Sequence, residues 1–141
     1  METTVLIADD HPLFREALRL VVAEALGPTA ITLECASLHE AREQVELHPG
    51  IELALMDLNM PGMDGLAGLA SLRARMPTLP IIVVSADERH ATVDAALRAG
   101  VSGFIPKSFS RADMAAAVNA VLEGDIFFPA TSDRNTEAPP A

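Results

Sequence analysis

Asp57 closes the apolar run Leu53-Ala54-Leu55-Met56 and opens the turn Asp57-Leu58-Asn59-Met60-Pro61-Gly62-Met63-Asp64-Gly65. A second acidic pair, Asp9-Asp10, closes the run Val5-Leu6-Ile7-Ala8. A carboxylate at the carboxyl end of a buried strand stands where open α/β sheets bind their ligands. If the two strands are neighbours, three carboxylates converge, and such a cluster repels itself unless a cation sits among them. The pattern points to a divalent-metal site with a nucleophilic carboxylate. Two more polar residues follow apolar runs in the same way: Ser85 after Ile81-Ile82-Val83-Val84, and Lys107 after Phe104-Ile105-Pro106. Mg²⁺ takes near-octahedral oxygen ligands, one or two carboxylates with waters and phosphate oxygens. A transferring phosphoryl group wants positive charge around its equatorial oxygens and an in-line nucleophile. In that chemistry Asp57 is the nucleophile, Lys107 and the metal supply charge, and Ser85 supplies a hydroxyl donor.

The elements that must position these residues alternate strictly. Short β-rich runs occur at about 3–8, 30–36, 53–57, 80–85 and 102–106, with helical stretches at about 12–26, 38–47, 65–76, 88–99 and 110–123 between and after them. Strands one, three and four are nearly all apolar, as parallel strands covered on both faces must be. Strand two alternates Ile31, Leu33 and Cys35 with Thr32 and Glu34 and suits a sheet edge. Pro12 falls in the first turn of helix one, Ser110 and Asp113 start helix five in the manner of a capping box, and Gly27, Gly100 and Gly124 stop helices one, four and five. Met114, Val118, Val121 and Leu122 share one face of the last helix. Five alternating βα units imply one doubly wound parallel sheet.

Length and composition bound the function. A chain of 141 residues is about one domain. No run approaches the ~20 apolar residues of a membrane span, and Met1-Glu2-Thr3-Thr4 leads into a strand without a basic signal region, so no membrane association is expected. The one cysteine, Cys35, fits a reducing compartment, the cytoplasm, and reads as a small residue on or beside strand two. A net charge of -10 makes the segment a poor binder of nucleic acid. The four histidines, at 11, 39, 48 and 90, show no paired ligand spacing and read as surface residues. After Phe127-Phe128-Pro129 the sequence turns polar and Pro-rich. Residues 1–124 therefore read as the folded domain and 125–141 as a linker or flexible tail.

The segments Leu6-Ile7-Ala8-Asp9-Asp10-His11-Pro12, Met56 through Gly65, Val84-Ser85-Ala86 and Gly103-Phe104-Ile105-Pro106-Lys107 together resemble the receiver domains of response regulators in two-component signalling. The likeness covers about residues 3–124. Asp-Asp-His-Pro-Leu-Phe-Arg-Glu-Ala-Leu early and Glu-Gly-Asp-Ile-Phe-Phe-Pro late are most similar to the NarL/FixJ (LuxR-type) transcriptional regulators. The resemblance implies a flavodoxin-like (CheY-like) sheet of strand order 2-1-3-4-5 with five helices. It implies that Asp57 accepts a phosphoryl group from the phosphohistidine of a sensor histidine kinase. By the same likeness Asp9, Asp10, Asp57 and the backbone carbonyl of Asn59 hold Mg²⁺ or Mn²⁺, Ser85 and Lys107 contact the phosphoryl oxygens, and Ser85 and Phe104 form the switch. Phe104 stands where many relatives carry tyrosine, so switching must work by packing. Asn59 and Asp87 match positions that tune hydrolysis of the acyl phosphate. Ser108 follows Lys107 where many receivers have proline, which leaves the peptide geometry there open.

The resemblance further implies a homodimer formed on phosphorylation and a C-terminal helix-turn-helix output domain that is absent from this chain, or else a stand-alone receiver in a phosphorelay. Either way the chain is no turnover enzyme: it catalyses only its own phosphorylation and dephosphorylation. Haloacid-dehalogenase-like phosphatases share the aspartyl nucleophile, Mg²⁺, Ser/Thr and Lys, but need a general-acid Asp two residues on, where this chain has Asn59. A flavodoxin-like cofactor module is disfavoured by scarce aromatics and by the lack of a phosphate-cradling loop after strand one.

Overall fold

The computed structural model describes residues 2–64 and 66–129. Its elements run β1 (Thr4–Ala8), α1 (Pro12–Leu26), β2 (Ile31–Cys35), α2 (Leu38–Leu47), β3 (Ile51–Met56), α3 (Leu66–Arg75), β4 (Ile81–Ser85), α4 (His90–Arg98), β5 (Gly103–Pro106) and α5 (Arg111–Leu122). Every ladder is parallel and the strand order is β2-β1-β3-β4-β5. The expected doubly wound sheet with five helices is therefore the observed one. From β1 the chain steps outward to β2, then returns to pair β3 on the other flank of β1. The β1/β3 boundary is thus the switch point, where a crevice opens beyond the strand ends.

Side-chain alternation divides the core. Leu6, Ala8, Ala54, Met56, Ile81, Val83 and Phe104 face the layer built by α2, α3 and α4. Val5, Ile7, Leu53, Leu55, Ile82, Val84 and Ile105 face α1 and α5. Both faces of the central strands are covered, which is why their sequences lack polar alternation. Strand β2 is the exception: Ile31 and Glu34 are exposed, as its edge position requires. Cys35 ends that strand buried, and burial foremost, with Glu40 adding, pushes its thiol pKa up to about 12. It is a packing residue.

Two boundaries differ from the sequence reading by two residues, the others by one at most. β3 begins at Ile51, because Ile51 is buried and pairs with Thr4 ahead of a register shift in β1. The exposed Glu52 and the neighbouring Gly50 hide that start in the sequence. α4 begins at His90, two residues late, because the residues before it are committed to a side-chain network described below.

Gly124 does not end the ordered chain. Phe127 N–H donates to Ser102 O at 3.0 Å and Phe104 N–H donates to Phe127 O at 2.9 Å, a parallel bridge that caps the open edge of β5. The approach is close: a Cβ on Gly103 would lie 3.1 Å from Phe127 O, so any larger residue would push the bridge back by a few tenths of an ångström. Phe127 packs edge-on against Phe109 at a centroid separation of 6.0 Å. The expected loose segment 125–141 thus begins with residues docked on the sheet, and residues 130–141 lie outside the described residues. Among the described residues no helix is long and apolar enough to cross a membrane.

Candidate functional site

Register brings the polar strand ends together. Ala8 pairs with Met56, so Asp9 and Asp57 emerge side by side, and Asp57 N–H donates to Ala8 O at 2.9 Å. Asp9 N–H donates to Cys35 O at 3.0 Å, which fixes the end of β1 against β2. On the other flank Ser85 pairs with Pro106, and Lys107 N–H donates to Ser85 O at 2.9 Å. All four chemistry-bearing strands end at one crevice, as their sequences implied. The described residues contain no cis peptide, so the bond after Lys107 is trans.

The acidic side chains are deeply placed. Asp9 and Asp57 are 0% and 1% exposed, while Asp10 keeps a third of its surface. Lys107 Nζ lies 2.9 Å from Asp9 Oδ2 and 3.2 Å from Asp57 Oδ2. It donates a hydrogen bond to Asp57, whereas its approach to Asp9 Oδ2 is an ion pair without hydrogen-bond geometry. Asp57 Oδ1 accepts the backbone N–H of Asn59 at 3.1 Å, a turn that holds the carboxylate and ties Asn59 to it. Two buried carboxylates share one ammonium, with Asp10 in the same cluster, and the excess negative charge is costly at this depth. Asp9 Oδ2 and Asp10 Oδ1 have no hydrogen-bond partner. Hard, clustered, under-satisfied oxygens of this kind fit a Mg²⁺ or Mn²⁺ ion.

His11 is exposed, as read from the sequence, yet it also joins the acids. Its ring stands on the crevice rim, with Nδ1 2.8 Å from Asp9 Oδ1, 3.2 Å from Asp10 Oδ1 and 3.7 Å from Asp57 Oδ2. Its backbone N–H also donates to Asp9 Oδ1 at 2.8 Å. Asp9, Asp10, His11 and Asp57 together form a cluster able to hold a metal ion, their donor atoms all within 4.8 Å of one another. Paired spacing misses His11 because its partners are the adjacent acids rather than another histidine. Phe14 was missed as well: Lys107 Nζ lies 4.5 Å from the centroid of its ring. Its signal in the sequence is its place four residues after Asp10, in the first turn of α1. Arg15 completes this side by donating to Asp9 O at 2.7 Å.

Ser85 is fully buried and its Oγ accepts Asp87 N–H at 3.0 Å. It does not cap α4, whose first turn follows Arg89. Asp87 accepts from Arg89 Nε and Nη2 at 2.9 and 2.8 Å and from Thr92 Oγ1 at 2.8 Å. The hydrogen bond from Arg89 is the main reason the Asp87 carboxyl is held well below the usual carboxylate range. The loop between Ser85 and α4 is therefore clamped at both ends. Phe104, three residues before Lys107, is 0% exposed and packs inward with the α2, α3 and α4 layer.

Comparison with known proteins gives a concordant picture. A family model described as the response regulator receiver domain matches residues 5–119. The glycerol metabolism activator of Pseudomonas putida is 43% identical over 125 residues, covering 89% of this chain and 56% of that protein. The nitrate/nitrite response regulator protein NarL of Escherichia coli (strain K12) is 30% identical over 125 residues, covering 87% and 56%. The chain thus spans about half the length of these curated relatives. Among solved structures, a LuxR family DNA-binding response regulator from Silicibacter pomeroyi has a TM-score of 0.76 at 31% identity, over 90% of this chain and 96% of that one. A LuxR family two-component response regulator from Aurantimonas sp. SI85-9A1 has a TM-score of 0.81 at 26% identity, over 97% and 95%.

Proposed function

The chain belongs to the response-regulator receiver family, with relatives of the NarL/LuxR type, and on that premise we propose that it is a phosphorylatable switch acting through Asp57. The observation that carries this reading is the buried Asp57 carboxylate, pinned by Asn59 N–H and faced by Lys107. Asp57 attacks the phosphorus of a phosphohistidine on a sensor histidine kinase; a P–O bond forms, the P–N bond breaks, and the departing imidazole takes up a proton. Asp9, Asp10, Asp57 and the Asn59 carbonyl would hold Mg²⁺ or Mn²⁺, which supplies positive charge to the phosphoryl oxygens. Lys107 donates to a phosphoryl oxygen from the opposite flank. Ser85 exchanges its local role as acceptor from Asp87 N–H for a hydrogen bond to the phosphoryl group, drawing the β4–α4 loop with it.

The readout follows from packing. A phosphoryl group adds about −1.5 to −2 of charge, and the response must favour one of two arrangements of the loop and Phe104. Moving such a population from 1:99 to 99:1 requires about 5.5 kcal/mol of differential interaction. With Phe104 inward, the α4-β5-α5 face or the α1 and α5 surfaces carry the signal to a second copy or to an output domain. The matched region makes up 56% of the glycerol metabolism activator, and the similar solved structures include a DNA-binding response regulator. We therefore assign DNA binding to a C-terminal helix-turn-helix domain, not to this acidic segment, with the whole acting in the cytoplasm. Turnover is restricted to the chain's own phosphorylation and dephosphorylation, because Asn59 offers no carboxyl where an aspartyl phosphatase needs its general acid.

Acetyl phosphate with Mg²⁺, followed by intact mass spectrometry, tests the assignment. The expected product carries about 80 Da, one phosphoryl group, and is lost in Asp57→Ala and in EDTA. Persistence of the adduct in Asp57→Ala would remove Asp57 from its role.

A further inference from the structure

The site lysine is held by more than its two carboxylates. Lys107 Nζ sits 4.5 Å from the centroid of the Phe14 ring, and the Lys107 side chain is only 17% exposed. We propose that Phe14 is a positioning residue for Lys107, and that its ring face sets where the ammonium stands when a phosphoryl group arrives. This rests on the phospho-acceptor reading of the same site.

The physical argument is one of non-competition. An ammonium placed between Asp9 and Asp57 is attracted by both, at 2.9 and 3.2 Å. During phosphoryl transfer that ammonium must instead meet a phosphoryl oxygen near Asp57. A third carboxylate would hold the lysine more tightly but would add negative charge where negative charge is arriving, and would compete for the metal. An aromatic face attracts the ammonium without carrying net charge and without a lone pair to offer a cation. Its attraction is also weakly directional, so Lys107 can shift from Asp9 toward the phosphoryl oxygen while remaining over the ring. The placement of Phe14 is fixed independently: it lies in the first turn of α1, is half-buried, and packs against the cluster containing Leu18, Met114 and Val118. The same ring lines a groove between α1 and α5 with Leu20, Phe109 and Met114.

The test measures phosphorylation of the 141-residue chain by acetyl phosphate and Mg²⁺ as a function of acetyl phosphate concentration, by intact mass. Wild type, Phe14→Leu, Phe14→Met, Phe14→Tyr and Lys107→Ala are compared, together with each aliphatic variant in the Lys107→Ala background. Leu and Met keep apolar bulk but remove the ring. Each is expected to lower the limiting rate about 3–10-fold with little change in the half-saturating concentration. Tyr retains the ring face and restores the wild-type rate. In the Lys107→Ala background the aliphatic changes have no further effect, because the contact is already gone. Having two aliphatic variants keeps the test informative if one of them lowers the melting temperature. An equal loss with and without Lys107, a Tyr variant as slow as Leu, or aliphatic variants as fast as wild type overturns the proposal. A wild-type chain that takes no phosphoryl group overturns the parent reading instead.

Discussion

Lys107 Nζ stands nearer to Asp9 Oδ2, at 2.9 Å, than to Asp57 Oδ2, at 3.2 Å. The lysine thus stands between the two acids, paired with both, and gives its hydrogen bond to the acceptor. Both acids are almost wholly buried, so the site carries an electrostatic load in the absence of a cation.

Relieving that load should stabilise the fold. In EDTA, Asp57→Asn is expected to melt higher than wild type by ~3–6 °C, corresponding to about 1 kcal/mol. Adding Mg²⁺ at ten times its dissociation constant should stabilise wild type by about 1.4 kcal/mol and the variant by less. Thermal unfolding with and without the ion checks both, and a variant that melts below wild type in EDTA contradicts the load argument.

Phe104 fills core space, so its removal is costly wherever the switch stands. Phe104→Ala should destabilise the chain by ~3–5 kcal/mol, as large-to-small core changes do, lowering the denaturant midpoint. Phe104→Leu should recover most of that stability. If Phe104→Ala unfolds at the wild-type urea concentration, the inward ring seen here is not the dominant arrangement in solution.

The clamp on Asp87 predicts a pH dependence. Its folded pKa lies below the usual value, chiefly through the Arg89 hydrogen bond, so the folded state binds the proton less readily than the unfolded chain. The stability it contributes is present above the ordinary aspartate pKa of about 4 and is lost as pH falls through the lowered folded value. Asp87→Asn should therefore be less stable than wild type at neutral pH, with the gap closing as the pH drops below about 4. Denaturant midpoints measured at the two ends of that range decide it, since a gap that stays constant would assign the effect to shape rather than charge.

Much of this was legible in the chain. Asp9, Asp10, Asp57, Ser85 and Lys107 each break an apolar run, and buried parallel strands are apolar for a stated reason, so the break marks a strand end and the polar residue marks the site. The helix starts and stops were equally local: Ser110 Oγ accepts Asp113 N–H at 3.1 Å, and Gly27, Gly100 and Gly124 adopt positive φ. What such signals miss is whatever depends on two distant segments. The bridge from Phe127 to β5 extends the folded region past Gly124, yet Asp125-Ile126-Phe127-Phe128 shows no periodicity of its own.

By itself, then, the sequence determined the alternation of elements, the end of the sheet that carries chemistry, and the residue types available there, because each is dictated by local burial and backbone chemistry. Only the tertiary structure decided that His11 joins the acids, that Phe14 lies beside Lys107, and that Lys107 bridges Asp9 and Asp57. Those relations span up to a hundred residues and are set to within an ångström by register and helix packing. Side-chain alternation fixes which face a residue takes. It leaves open which neighbour that residue meets across the strand ends.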